Sequence, residues 1–264
     1  MRAFRCLVWL EFRRSGVWAA ALLGSLAFWA WGLFQVRAVD VAQQLGIRLL
    51  LLGIAGAIGA LVLALMVGRL RGDTRAGLFQ MLLMTPPTGY VHVGTRYAFA
   101  AATAALYYMG LGGLAWWTLR LSGLPLDAGT VAQLALGLPF YALGVSVIPL
   151  LAWTLLLVTF QSAYRVSGTG WIPGTVMALG TPFALRWLVN GIERVAYALP
   201  GWPVLGSVGA DLIEAAQGIA EDPAVSVSLE HPALVLPQEP LWIMLALAVV
   251  LLLAAGRIWQ EVEA

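Results

Sequence analysis

The residues that most often carry out catalysis are scarce in this chain of 264 residues. All 15 basic residues are arginine, so no lysine is present for phosphate binding in a P-loop, for a Schiff base or for general-base chemistry. The one cysteine, Cys6, excludes an intrachain disulfide and any metal or iron–sulfur site built from several cysteines. If ATP is used, another chain must hydrolyse it, and the sequence predicts no cofactor in this chain.

The composition indicates an integral membrane protein. Hydrophobic residues make up 61% of the chain and charged residues 11%, whereas soluble domains have about 45–50% and about 25%. The mean hydropathy is +0.87. The formal net charge of +2 is close to neutral, so the sequence carries no electrostatic signature of nucleic-acid binding.

Six apolar stretches have roughly the length of about 20 residues that a membrane-spanning helix needs. They are Gly16–Val36, Ile47–Leu70, Tyr97–Leu119, Val131–Phe160, Trp171–Val189 and Leu241–Arg257. The fourth is long and contains Pro139 and Pro149. It is therefore expected to be tilted and kinked, or to lie partly outside the hydrocarbon, with neighbouring helices bonding the carbonyls that the prolines release.

The first 15 residues mix arginines with bulky apolar residues, which is typical of a helix lying in the membrane interface. A cleaved signal peptide is the alternative, because arginines precede an apolar run. The region around Arg37 offers no cleavage site of small residues, so an uncleaved anchor is favoured.

Arginine counts predict the orientation, because positive charge is retained on the cytoplasmic side. With both termini inside, ten arginines fall on the inner face and five on the outer face. His92 is then near the inner surface and His231 outside, so the two histidines cannot share a metal ion. No carboxylate falls in the middle of a span, which leaves an intramembrane enzyme or a proton relay without the residues it would need.

The connection between the second and third spans, residues 72–90, contains the most informative pattern. Asp73 or Thr74 can cap a short helix, which Pro86 ends after Met84. From Leu78 to Met84 this helix has no charge and is apolar on nearly every side. Such a helix at a cytosolic surface is expected to enter a groove on a partner, or else to lie on the bilayer or under its own spans.

This segment resembles the cytoplasmic signature of ABC-2 type transporter permeases, the membrane subunits of ABC exporters. Residues 77–86 read G-L-F-Q-M-L-L-M-T-P in the family's register, with Asp73 and Arg75 at upstream charged positions and Arg96 at the later basic position. The sequence departs from the family at Leu78, where threonine is usual, and at Gln80, where glutamate is usual. The close match covers Asp73 to Arg96, and the order of spans agrees more loosely along the whole chain.

The resemblance implies a partner ATPase subunit that holds ATP and Mg, and a second permease subunit, either another copy or a paralogue. It assigns the ATPase-coupling role to Asp73, Thr74, Arg75, Gly77, Leu78, Met81, Leu82, Thr85, Pro86 and Arg96.

The outer segment, residues 190–240, contains an amphipathic pattern over Pro203–Ala220 that predicts a helix dipping into the interface, like the outer re-entrant helices of the family. Four later prolines predict an irregular connector. The segment is expected to act as a lid over an exit path or to be a plain surface loop.

Deep aromatic residues are candidates for a substrate path: Trp29, Trp31, Phe34, Tyr107 and Tyr108. Anchoring at the interfaces is the alternative explanation for the abundance of tryptophan. The many glycines in spans two to four are expected to allow close helix packing within one subunit rather than to form a dimer seam.

The sequence therefore predicts an all-α integral membrane protein in which residues 1–264 form a single permease domain. It has six spans, an N-terminal interfacial helix, a cytoplasmic coupling helix and an outer amphipathic helix between spans five and six. The expected location is the inner (plasma) membrane, in contact with membrane lipid. The expected function is ABC export of an amphipathic or lipid-linked substrate, and the alternative is a non-transporting scaffold subunit.

Overall fold

In the computed structural model, the chain is described over residues 2–36, 41–68, 89–122, 131, 133–163, 202–203, 235–236 and 238–263. These residues are almost entirely helical. The helices are α1 (Arg2–Gln35), α2 (Val41–Gly68), α3 (Gly89–Leu121), α4 (Leu138–Ala142), α5 (Ile148–Ala163) and α6 (Gln238–Glu263). Two π-helical segments, Gln133–Gly137 and Leu143–Val147, are continuous with α4 and α5, and we call residues 133–163 span four.

Within the described ranges, five helical stretches are long and apolar enough to cross a membrane. They are Ser15–Gln35, Gln43–Gly68, Gly89–Leu121, Ala135–Phe160 and Leu241–Gln260. This agrees with an all-α, multi-pass membrane protein and with five of the six predicted spans. The other predicted span, Trp171–Val189, and the predicted coupling helix up to Pro86 lie outside the described residues.

The predicted N-terminal interfacial helix is not a separate element. Helix α1 runs without interruption from Arg2 to Gln35 because no proline or turn sequence separates its charged start from the apolar span. Its 34 residues extend over about 50 Å, which exceeds the about 30 Å of the hydrocarbon core. Helix α3 likewise starts at Gly89, so the last two residues of the predicted segment 72–90 belong to α3.

Span four differs from a regular helix at its two prolines. Each π segment ends two residues before a proline, at Gly137 before Pro139 and at Val147 before Pro149. Proline lacks the N–H that would bond the carbonyl four residues earlier and its ring crowds that carbonyl. The wider π turn relieves this crowding, as when the Ile148 N–H bonds to the Leu143 carbonyl.

Two residues of the outer segment form a short antiparallel ladder with two others: Trp202 pairs with Leu236 and Pro203 with Val235. Pro203 therefore lies in a strand, β1 (Trp202–Pro203), paired with β2 (Val235–Leu236), and the predicted amphipathic helix does not begin there. Pro240, predicted in an irregular connector, lies in the first turn of α6, where a missing N–H has no cost.

Helix α3 lies at the centre of the described bundle and packs against α1, α2, span four and α6. The core along it is apolar and fully buried at Leu63, Ala104, Tyr107, Leu151 and Leu155. The cytoplasmic connection predicted from the sequence leads directly into this central helix.

Candidate functional site

One of the ten predicted coupling residues, Arg96, lies within the described residues; the other nine precede Gly89. Arg96 is in the second turn of α3 and is only 7% exposed. It interacts electrostatically with Glu11 of α1, which is 8% exposed. Two opposite charges that attract one another are thus buried on neighbouring helices.

The burial of both charges makes this pair a strong constraint on how α1 and α3 meet. Removing one member of a buried ion pair leaves a desolvated charge, which is strongly unfavourable. Around the pair, the Phe12 and Phe99 rings meet edge to face with centroids 6.4 Å apart. The Thr95 hydroxyl donates to the Val91 carbonyl at 2.7 Å, which satisfies it within its own helix.

The start of α3 also packs closely against the end of α6. A β-carbon added at Gly89 would lie 2.9 Å from the Gly256 carbonyl oxygen and 2.9 Å from Cδ1 of Trp259. The Tyr90 ring covers Gly256, and the His92 and Trp259 rings lie 6.2 Å apart. Glycine at both positions is what allows the backbones to approach.

The first two turns of α3 therefore contact both α1 and α6, through the attraction between Arg96 and Glu11 and through the close contacts of Gly89 and Gly256. We call this arrangement the α3 clasp, defined by Glu11, Gly89, Arg96, Gly256 and Trp259.

Glu11, Gly89, Gly256 and Trp259 were not among the predicted site residues. The available signal for Glu11 was a single carboxylate surrounded by apolar residues and arginines in the N-terminal helix. The interaction of Glu11 with Arg96, which is 85 positions later in the sequence, depends on tertiary packing.

The five candidate substrate-path residues occupy different environments. Tyr107 is fully buried, and its hydroxyl donates to the Ala55 carbonyl at 2.9 Å. The side chains of Ser25 and Trp29 in α1 lie near the same hydroxyl. Tyr107 and Trp29 thus link α1, α2 and α3.

Tyr108 is also buried, and its hydroxyl donates to the Gly56 carbonyl at 2.9 Å. One side of Tyr108 borders a cavity between α2 and span four. Trp31 and Phe34 are 60% and 61% exposed on α1, away from this cavity. Of the five residues, Tyr108 alone lines the cavity.

The described residues contain no group of three or more histidine, cysteine, aspartate or glutamate side chains that could hold a metal ion. Among them, Glu11 and Arg96 are opposite charges that interact while both are buried, which suits a structural link between helices.

A comparison of the chain with protein-family models, curated proteins and solved structures finds no match.

Proposed function

We propose that this chain is the permease subunit of an ABC transporter and that ATP hydrolysis on a separate ATPase subunit moves a substrate across the membrane. The observation that carries the proposal is the sequence G-L-F-Q-M-L-L-M-T-P at residues 77–86, followed by Arg96. This pattern resembles the ABC-2 permease signature, and it leads into the central helix of a multi-pass bundle.

The α3 clasp supports this role because coupling requires a rigid connection between the cytoplasmic segment and the spans. In the proposed mechanism, Asp73–Thr85 sits in a groove of the ATPase and moves when the ATPase dimer closes. Arg96 and Gly89 pass that movement to α1 and α6.

The substrate class follows from the chemistry of the spans. The five described spans contain no aspartate or glutamate, so a translocation path along them would offer no carboxylate to a cation. An amphipathic or lipid-linked molecule suits such a path better than a small cation does. A second permease subunit, identical or paralogous, would complete the path, in the inner (plasma) membrane with both termini in the cytoplasm.

The experiment that tests the proposal replaces Leu82 by aspartate. A carboxylate in the middle of an apolar protein interface costs several kcal/mol when unpaired, and about 1.4 kcal/mol is already a tenfold loss of binding. We expect Leu82→Asp to reach normal membrane levels and to lose its co-purified ATPase.

Gln80→Glu is the matched control, since it adds a carboxylate two residues away while restoring the residue common in the family. It should retain the ATPase. If Leu82→Asp keeps its ATPase at wild-type stoichiometry, the apolar segment serves the bilayer or the subunit's own core. A wild-type complex without any ATPase would favour the scaffold alternative.

A further inference from the structure

A lateral groove opens between α2 and span four, with α3 forming its base. Its volume is about 550 Å³, within the range of about 300–1,000 Å³ of small-molecule sites. Its walls include Leu52 and Ala57 of α2, Leu111 and Ala115 of α3, and Leu138 and Leu150 of span four. This is the cavity that Tyr108 borders.

The groove is apolar throughout. Among the described residues that line it, none is charged, and the side chains with a polar atom are Tyr108 and Ser146. The Tyr108 hydroxyl already donates to the Gly56 carbonyl. An occupant therefore gains little from polar groups and must be a hydrocarbon over most of its length.

The length of the groove matches one leaflet of a bilayer. Along α2 the lining extends from Leu49 to Ala60, which is about 16 Å on a helix axis and close to the about 15 Å depth of one leaflet. A single acyl chain is one leaflet long and therefore matches the length of the groove.

The groove is also open to the side from which a lipid would enter. Leu138 and Leu150 on its rim remain 42% and 40% exposed. At Gly53 an added β-carbon would meet nothing within 4 Å, so helix packing does not require glycine there. The small residue instead leaves space in the groove.

We propose that this groove binds one acyl chain of a membrane phospholipid. The proposal is independent of transport, because it uses only the described walls of the groove and would apply equally to a permease and to a scaffold. Since the surrounding bilayer is as apolar as the groove, binding depends on close packing of the chain against the groove walls, and filling the groove should remove it.

The test uses the full-length chain, with the subunits that co-purify, in phosphatidylcholine nanodiscs. The nanodiscs contain a phosphatidylcholine with a diazirine at the end of one acyl chain, and cross-linked residues are mapped by mass spectrometry after illumination. We expect cross-links at groove residues such as Ala57, Ala115 and Leu150 to exceed those on the open apolar face of α6 around Val249 and Leu253.

Gly53→Phe fills the groove, whereas Gly46→Phe makes the same substitution on the same helix outside the lining, where an added β-carbon also meets nothing within 4 Å. Because the phenylalanine side chain takes the space of the acyl chain, Gly53→Phe is expected to lower groove labelling to the level of the open α6 face. Gly46→Phe should leave that ratio unchanged. If Gly53→Phe does not accumulate, Ala57→Leu replaces it, and the wild-type labelling pattern stands as a test by itself.

Three results would overturn the proposal. Equal labelling of every exposed apolar face would mean that the lipid is only annular. A direct chemical cross-link between a groove residue and residues 164–201 of the same chain would mean that a segment of the chain fills the groove. A cysteine at Ala57 that forms a disulfide with a second copy would mean that the groove is an interface between subunits.

Discussion

The ring of Tyr107 lies directly against the backbone of Gly59, so that a β-carbon at residue 59 would overlap Cε1 of the ring. The ring is fully buried, and its hydroxyl donates to the Ala55 carbonyl one helical turn before Gly59. Helix α2 therefore accommodates Tyr107 in two ways: Gly59 leaves space for the ring, and the Ala55 carbonyl accepts a hydrogen bond from the hydroxyl. Small residues at such crossings allow membrane helices to approach closely.

Gly59→Ala is expected to destabilise the protein by about 1–3 kcal/mol, the usual cost of overpacking, because the fully buried ring cannot move aside. Thermal unfolding of the purified protein in detergent measures the effect. Gly53→Ala is the matched control on the same helix, since its β-carbon meets nothing within 4 Å, and it should unfold at or slightly above the wild-type temperature. Equal midpoints for the two variants would contradict the close contact of Tyr107 with Gly59.

The α3 clasp predicts strong coupling between Glu11 and Arg96. Glu11→Gln or Arg96→Met alone should cost about 3 kcal/mol, because each leaves the other charge buried, whereas the double variant should recover part of that loss. Unfolding midpoints of the four proteins give the coupling energy. Arg13→Gln removes an exposed arginine in the same helix and should be nearly neutral. Additive single losses would show that the two charges do not stabilise one another.

The arginine distribution predicts that residues 74 and 217 lie on opposite sides of the membrane. In a Cys6→Ser background, Gln217→Cys should react with an impermeant maleimide on intact cells. Thr74→Cys should react only after the cells are permeabilised. Labelling of both cysteines from outside would contradict the proposed topology.

The absence of lysine predicts that the isolated subunit hydrolyses no ATP, since it has no P-loop. Phosphate release by the purified chain should equal the buffer blank, and release should appear when the proposed ATPase partner is added. Turnover by the chain alone, surviving a further purification step, would refute the assignment of ATP hydrolysis to another subunit.

Apolar length predicted the membrane-spanning character well, because the cost of placing polar residues in hydrocarbon acts on every residue of a span. It predicted helix ends poorly. The start of α1 at Arg2 and of α3 at Gly89 depends on how far a helix continues beyond the hydrocarbon, which apolar length does not record. Close glycine packing within one subunit is confirmed at Gly59, whose partner was not predictable.

The candidate site was less predictable than the fold. Arg96 was identified by its position in a motif, yet its burial against Glu11 is set by the approach of two helices distant in sequence. Trp31 and Phe34 were grouped with Tyr107 because all three are aromatic and deep in a span. The structure shows that Tyr107 is buried, whereas Trp31 and Phe34 are exposed. This difference depends on which face of each helix contacts a neighbouring helix.

The two π segments of span four also act as corrections of helical phase. From Ala135 to Thr159 every fourth side chain faces the core, the buried ones being Ala135, Leu143, Val147, Leu151, Leu155 and Thr159, with Pro139 half-buried. In a regular α-helix a step of four residues overshoots one turn by about 40°, so this row would rotate by about 240° and leave the core. Each π segment takes up about one extra residue, or about 100°. Together the two segments cancel most of this rotation. The row of every fourth residue therefore stays on the core side along the whole span, which a straight α-helix could not achieve.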